Sequence, residues 1–334
     1  MRVIEYDRTG PADVLTLAER DRPEPGPGEV LVAMAVSAVH PTDVKARAGA
    51  RGPLPFASVV PHSDGAGRIV AVGPGVCPRR EGERVWLYNA AWGRADGTAA
   101  EYVALPAWLA VPLPDAADYA EGACLGIPAQ TAYACLFTDG PLHGEDVLVT
   151  GGAGTVGAYA IQMARLDGAR VITTVSSPEK ADFARAMGAD VVIDYRREDA
   201  TAAILDATDG RGVARIVEVE FGGNLAQSRA VLRDGGVIAA YGSMAAPEPV
   251  LPYYPMMFAN LTLRMVLLYK LAPQLRAAAI GAITAWTGAG RLRHPVGRRW
   301  PLADAAAAHA HVESGARIGV ALLDIDAAGT DKAG

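Results

Sequence analysis

Val147–Gly157 reads VLVTGGAGTVG. A short apolar strand runs straight into a glycine cluster, and a helical stretch from about Val156 to Asp167 follows. Gly152, Gly154 and Gly157 stand in G-x-G-x-x-G spacing. Between a strand and a helix each glycine has a physical purpose: a tight turn, close backbone approach to a pyrophosphate, and close helix–sheet packing. Ala153, Thr155 and Val156 complete the loop, and the helix N-terminus adds free N–H groups and positive dipole. The string alone would be weak; its strand–turn–helix setting makes the dinucleotide reading firm.

Working outward, strands and helices alternate on the C-terminal side. RVITTV (Arg170–Val175) precedes a helix over Glu179–Met187, and DVVID (Asp190–Asp194) precedes one near Ala200–Ala207. RIVEVE (Arg215–Glu220) leads to a helix near Leu225–Leu232 and then to VIAAYG (Val237–Gly242). Such alternation implies a parallel sheet flanked by helices, and the apolar strands fit burial on both faces. Leu261–Tyr269 reads as a further apolar strand, and helices over about Gln274–Ala289 and Leu302–Glu313 precede a last strand, Val320–Ile325. On the N-terminal side, short strand-like runs (Glu29–Val36, Gly67–Val72, Arg84–Leu87, Ala99–Ala104) are separated by PEPGPGE, VGPGV and ADGT. That rhythm predicts an antiparallel, barrel-like domain.

A chain of 334 residues exceeds the usual size of one core, so two domains are expected. The net charge of -6 and the lack of a basic stripe argue against nucleic acid as partner. No apolar run is long enough to span a bilayer, since Arg264 and Lys270 interrupt the richest one. The N-terminus shows no signal peptide, and three scattered cysteines (Cys77, Cys124, Cys135) fit a reducing, cytoplasmic setting.

NAD-specific sites place an acid about 20 residues beyond the glycines, at the end of the second strand. Here Thr173–Ser177 reads TTVSS, with Lys180 close behind. A carboxylate would repel a 2'-phosphate, whereas the Ser176 hydroxyl and the Lys180 cation would bind it. Tyr195, Arg196 and Arg197 follow the next strand, whose end should lie beside that pocket. The reading is NADPH over NADH.

Further blocks carry a family resemblance. VHPTDVKARAG (Val39–Gly49), VVPHSDGAGRIVAVGPGV (Val59–Val76), GTAAEYV (Gly97–Val103), EGACLGIPAQTAY (Glu121–Tyr133), MGADVVIDYR (Met187–Arg196) and AYGS (Ala240–Ser243) occur in order around the glycine loop. With them the chain resembles the medium-chain dehydrogenase/reductase superfamily, in its zinc-free quinone oxidoreductase (zeta-crystallin-like) branch. The resemblance implies an α/β fold. A GroES-like β-barrel catalytic domain (1–122 with 272–334) would accompany a Rossmann doubly wound cofactor domain (123–271). It extends the cofactor-binding candidates to Thr131, Phe221, Gly242, Ser243 and, in SGARIG, Arg317. It also implies a homodimer paired through Leu261–Tyr269, a long apolar edge that would be a liability unpaired; an internal strand is the alternative.

The superfamily's zinc enzymes hold their metal at positions matched here by His40, Ser63 and Ile127. Ile127 cannot ligate and serine is not a usual zinc ligand, so no metal is expected. Without a Lewis acid to hold an alkoxide, the chemistry shifts to acceptors that spread negative charge over their own π-system: a quinone, or an activated C=C. His40, Lys45 and Thr131 are the candidate catalytic donors. His40 stands where the branch has Asn, and either bonds the substrate oxygen, helps orient the nicotinamide ribose or supports its loop; Lys45 and Arg51 stand near its tyrosine positions. Asp43 orients, Asp64 anchors a loop, and Glu218 and Glu220 either line the nicotinamide side or face solvent. Three alternatives stay open: an enone or enoyl reductase, a non-enzymatic role (a nucleotide-binding redox sensor, an RNA-binding protein or a lens-type structural protein), and a zinc alcohol dehydrogenase.

Overall fold

The computed structural model describes residues 1–315 and 317–325. These fall into two compact units, one of 1–127 with the described residues from 283 to 325, the other of 128–282. The family resemblance implies changes at 122/123 and 271/272; residue 316, inside SGARIG, and the tail 326–334 lie outside the described residues.

The first unit begins with an antiparallel hairpin, β1 (Arg2–Glu5) on β2 (Thr16–Glu19). Its main strand is β3 (Glu29–Val39), in which every residue from Val30 to Val39 is buried. A continuous apolar run bounded by turn residues is what such a strand requires. After α1 (Pro41–Arg47) come β4 (Asp64–Val72), β5 (Arg84–Leu87), β6 (Tyr102–Pro106), β7 (Ala110–Pro112) and α2 (Tyr119–Gly122). Strands β4 and β6 flank β3, and β5 and β7 continue from β4, all antiparallel. A π-helical turn over Leu125–Ala129 then leads into α3 (Gln130–Phe137). It contains Pro128, which lacks the N–H for a regular helical ladder, and the wider turn accommodates it.

The second unit alternates as read: β8 (Asp146–Val149), α4 (Thr155–Leu166), β9 (Arg170–Val175), α5 (Pro178–Ala186), β10 (Val191–Asp194), α6 (Ala200–Ala207), β11 (Val213–Glu218), α7 (Phe221–Val231), β12 (Leu232–Ala240), α8 (Tyr253–Phe258) and β13 (Thr262–Met265), followed by α9 (Pro273–Gly288). The six strands form one parallel sheet in the order β10-β9-β8-β11-β12-β13. Leu148, Ile172, Ile193, Ile216 and Ile238, one from each of five strands, pack with Ile204, Phe221 and Leu225 of the covering helices. Each such buried side chain contributes about 1.5–3 kcal/mol. The order reverses between β8 and β11, the switch point beside which open α/β sheets bind ligands.

Strand β13 is shorter than Leu261–Tyr269. Four residues pair with β12, and Leu268–Lys270 turns into a 3-10 helix. The chain then returns to the first unit through β14 (Val296–Pro301), α10 (Ala305–Glu313) and β15 (Val320–Asp324). Strand β15 pairs antiparallel with β3 and parallel with β14. The sequence reading missed β1, β2, β7, β14, α1, α2, α3 and α8, all short or interrupted by Pro, Gly and charge.

Candidate functional site

The glycine loop joins β8 to α4. A Cβ on Gly152 would sit 2.1 Å from Thr173 Oγ1, and one on Gly157 would sit 2.5 Å from the Gly151 carbonyl, so both positions exclude a side chain. Two of the expected amides are already used. Gly152 N–H donates to Thr174 O at 3.1 Å and Gly154 N–H to Gly151 O at 2.8 Å. These two therefore brace the loop and do not bind an anion through those bonds. The cradle is the first turn of α4, where Thr155, Val156 and Gly157 point N–H groups with no partner inside the helix. Gly154, the N-cap residue, has no side chain to cover them. Such an uncapped start is an anion site, so the residues present fit a pyrophosphate.

At the end of β9, Thr173 turns inward and donates to Val149 O at 2.6 Å, and Thr174 Oγ1 accepts Gly151 N–H at 3.3 Å. Ser176 is the hydroxyl left at that edge, and Lys180 Nζ lies 3.2 Å from its Oγ. Tyr195 is brought alongside by its N–H bond to Val175 O at 3.2 Å. Arg197 leans back on Asp194 at 3.4 Å, and the Arg196 N–H donates to the same carboxylate at 3.1 Å. Hydroxyl and ammonium thus meet where the sequence placed a 2'-phosphate pocket.

Across the switch point, Phe221, Gly242 and Ser243 converge. Phe221 N–H donates to Gly242 O at 2.8 Å, and Gly222 N–H to Ser243 Oγ at 2.9 Å. The Phe221 ring is 2 % exposed and belongs to the core, so only its backbone borders the site. Glu218 neither lines the site nor faces solvent: it is fully buried and hydrogen-bonded. Glu220 clasps the next loop, accepting Met244 N–H at 2.8 Å and Ala245 N–H at 2.9 Å. Thr131 is buried at the start of α3, beside Gln130, whose buried amide has no protein partner at either atom. Thr150, Asn224 and Ser228 were missed: Thr150 is a hydroxyl just beyond the C-terminal end of β8, whereas Asn224 and Ser228 sit within α7 and carry no local signal.

In the first unit, His40 opens α1 and is 1 % exposed. Its backbone N–H donates to Asp43 Oδ2 at 2.8 Å, and its Nε2 lies 2.8 Å from Asp64 Oδ2, out of line for a full hydrogen bond. Its backbone thus supports the loop, while its ring faces Asp64. Burial pushes the Asp43 carboxyl up to about 6, against the attraction of His40. Asp64 anchors its loop as expected: Oδ2 accepts Ile127 N–H at 2.5 Å, and a Cβ on Gly126 would collide with Oδ1 at 2.2 Å. Ile127 thus meets Asp64 through its backbone and offers no side-chain ligand. Ser63 is buried, and among the described residues no group of three or more His, Cys, Asp or Glu side chains could hold a metal ion. The donor set does not fit zinc. Lys45 is half-buried on α1, and Arg51 reaches Thr42 Oγ1. Arg317 lies in this unit, near His311, whose pKa is lowered by burial and then by Arg298 and Arg317.

A buried polar file runs beneath this loop. Thr98 Oγ1 donates to Asp64 O at 2.7 Å and so accepts from Ser37 Oγ at 2.7 Å. With its only hydrogen committed, Ser37 accepts at 2.9 Å from His62 Nδ1, which must carry the proton. Burial, then His309 and His40, hold the His62 pKa well below normal, so that ring is neutral and its Nε2 is bare. His309 Nε2–H therefore donates to it at 2.8 Å. His62 adopts φ 78°, a left-handed conformation costly for any residue but glycine.

Comparison with known proteins agrees with this geometry. Residues 26–115 match the alcohol dehydrogenase GroES-like domain family and residues 155–284 the zinc-binding dehydrogenase family. The chain is 30 % identical to the quinone oxidoreductase of Lama guanicoe over 97 % of each chain. It is 33 % identical to the 2-methylene-furan-3-one reductase of Solanum lycopersicum, over 67 % of this chain and 61 % of that one. The Escherichia coli quinone oxidoreductase solved with NADPH superposes with a TM-score of 0.85 at 26 % identity, covering 97 % of this chain and 100 % of that one. On sequence, topology and site, this chain belongs to the quinone oxidoreductase branch of the medium-chain dehydrogenase/reductase superfamily.

Proposed function

We propose that the protein is an NADPH-dependent reductase that delivers hydride to a quinone without zinc. The observation that carries this reading is Ile127 at the third zinc-ligand position, its backbone N–H held by Asp64, in a chain whose glycine loop is intact. NADPH, when bound, supplies a hydride to the acceptor. The first turn of α4 holds its pyrophosphate, and Ser176 with Lys180 holds the 2'-phosphate. A reduced quinone spreads its charge over the ring, so hydrogen-bond donors replace the Lewis acid. Thr131 and Lys45 are the donors assigned to the substrate side, and His40, turned toward Asp64, fixes the loop that carries Lys45. The outer edge of β13, with Met265 67 % exposed, is the surface assigned to a second copy. A reducing, cytoplasmic setting suits its three free cysteines; among the described residues no helix is long and apolar enough to cross a membrane.

The test is steady-state turnover of a quinone series with NADPH and NADH, with and without chelator. NADPH-driven reduction of ortho- or para-quinones, unchanged by chelation, is expected. Activity lost to chelator and restored by zinc overturns the metal-free half. A second reading, reduction of an activated C=C, is supported by the tomato furanone reductase relative and by His40 and Lys45 at substrate-side positions. Turnover of enones in preference to quinones in the same assay would select it.

A further inference from the structure

Glu218 ends β11 at the point where the sheet order reverses. Its carboxylate is fully buried and receives four donors, all neutral. Oε1 accepts from Thr150 Oγ1 at 2.8 Å, Glu220 N–H at 2.8 Å and Asn224 Nδ2 at 2.9 Å, and Oε2 accepts from Ser228 Oγ at 3.0 Å. A buried charge is tolerated only where donors hold it firmly, and hydrogen bonds to a charged acceptor are the stronger kind.

The placement of the donors is informative. Thr150 immediately precedes the glycine loop, and its Oγ1 also accepts Val219 N–H at 3.0 Å. Glu220 belongs to the loop after β11 and itself grips Met244 and Ala245, after β12. Two neighbouring carboxylates thus tie together the three loops that follow β8, β11 and β12. Ser228, by contrast, sits within α7 and bonds only the far oxygen.

We infer that Glu218 is a positioning residue for the dinucleotide: through Thr150 it fixes the glycine loop against the loops after β11 and β12. This rests on the NADPH reading above. Glu218→Gln keeps the shape but removes the charge that strengthens the bonds, and Thr150→Val removes the link to the glycine loop. Ser228→Ala serves as the comparison, since it removes a bond to the same carboxylate without touching a loop.

The experiment measures NADPH dissociation constants by fluorescence titration, quinone turnover and urea midpoints on the full-length wild type and these variants. Thr150→Val and Glu218→Gln are expected to weaken NADPH binding about tenfold, with kcat at saturating NADPH little changed. The double variant should be no worse than the weaker-binding single, because both act on one link. Ser228→Ala should lower the urea midpoint yet bind NADPH within about twofold of wild type. Wild-type affinity in Thr150→Val and Glu218→Gln overturns the inference, as does an equal loss in Ser228→Ala, which would make the effect one of stability. A wild-type protein that takes up no NADPH removes the reading beneath it, a result distinct from both.

Discussion

Gly157 and Lys180 show how much a single side chain decides at this site. Placing a methyl on Gly157 sets a carbon 2.5 Å from the Gly151 carbonyl, so loop and helix must part. Gly157→Ala is expected to cost about 1–3 kcal/mol of stability and to raise the NADPH KM at least about tenfold, read by urea titration and steady-state kinetics. Lys180→Ala removes a cation 3.2 Å from Ser176 Oγ and should raise the NADPH KM about tenfold while leaving that for NADH unchanged. A parallel loss with both nucleotides would place the 2'-phosphate elsewhere. The sequence points to both residues, because a glycine spacing and a missing acid are local signals. His309 was not: it meets His62 from 247 positions away, and no periodicity carries that contact. Glu218 was seen but misplaced, since its partners are hydroxyls and amides spread from Thr150 to Ser228.

At the scale of elements, the helix α3 depends on one buried cation. Arg215, on β11 and 4 % exposed, donates to the carbonyls of Leu136, Asp139 and Gly140, the open C-terminal end of α3. Burial lowers its pKa, while Asp139, itself paired with Arg264, opposes that fall. Arg215→Met leaves several buried carbonyls without donors, and a loss of about 2–4 kcal/mol in urea unfolding is expected. An unchanged midpoint would show that the end of α3 is satisfied without it. The parallel strands were readable because both faces are covered and their sequences are apolar. Strand β13 was overread, since the apolar run Leu261–Tyr269 mixes a four-residue strand with the start of a 3-10 turn, and hydropathy alone does not mark where one ends. Strand β14 was missed because GRR interrupts it on an exposed face.

For the whole molecule, three histidines set the response to acid. Burial pushes His309 down to about 3 and His294 to about 4 from an ordinary 6.5, and holds His62 well below it. Unfolded, each takes a proton near 6.5; folded, each refuses it. Stability is therefore level above pH 6.5 and falls as pH drops below it, by about 1.4 kcal/mol per group per pH unit. Asp43 acts in the opposite sense: raised from 3.8 to about 6, it holds a proton in the folded chain that the unfolded chain lacks, adding stability as pH falls through that window. Three groups outweigh one, so the unfolding free energy from urea titration at pH 5.5 should lie below that at pH 7.5 by about 2–4 kcal/mol, and a flat profile would contradict the burial of these rings. The file from His309 to Asp64 carries a further consequence. Each member can pass its hydrogen only one way, because the last acceptor is a peptide oxygen that owns none. Nitrogen chemical shifts should accordingly find opposite tautomers on two touching rings, His62 protonated at Nδ1 and His309 at Nε2. Exchanging Ser37 for alanine would free both to rearrange.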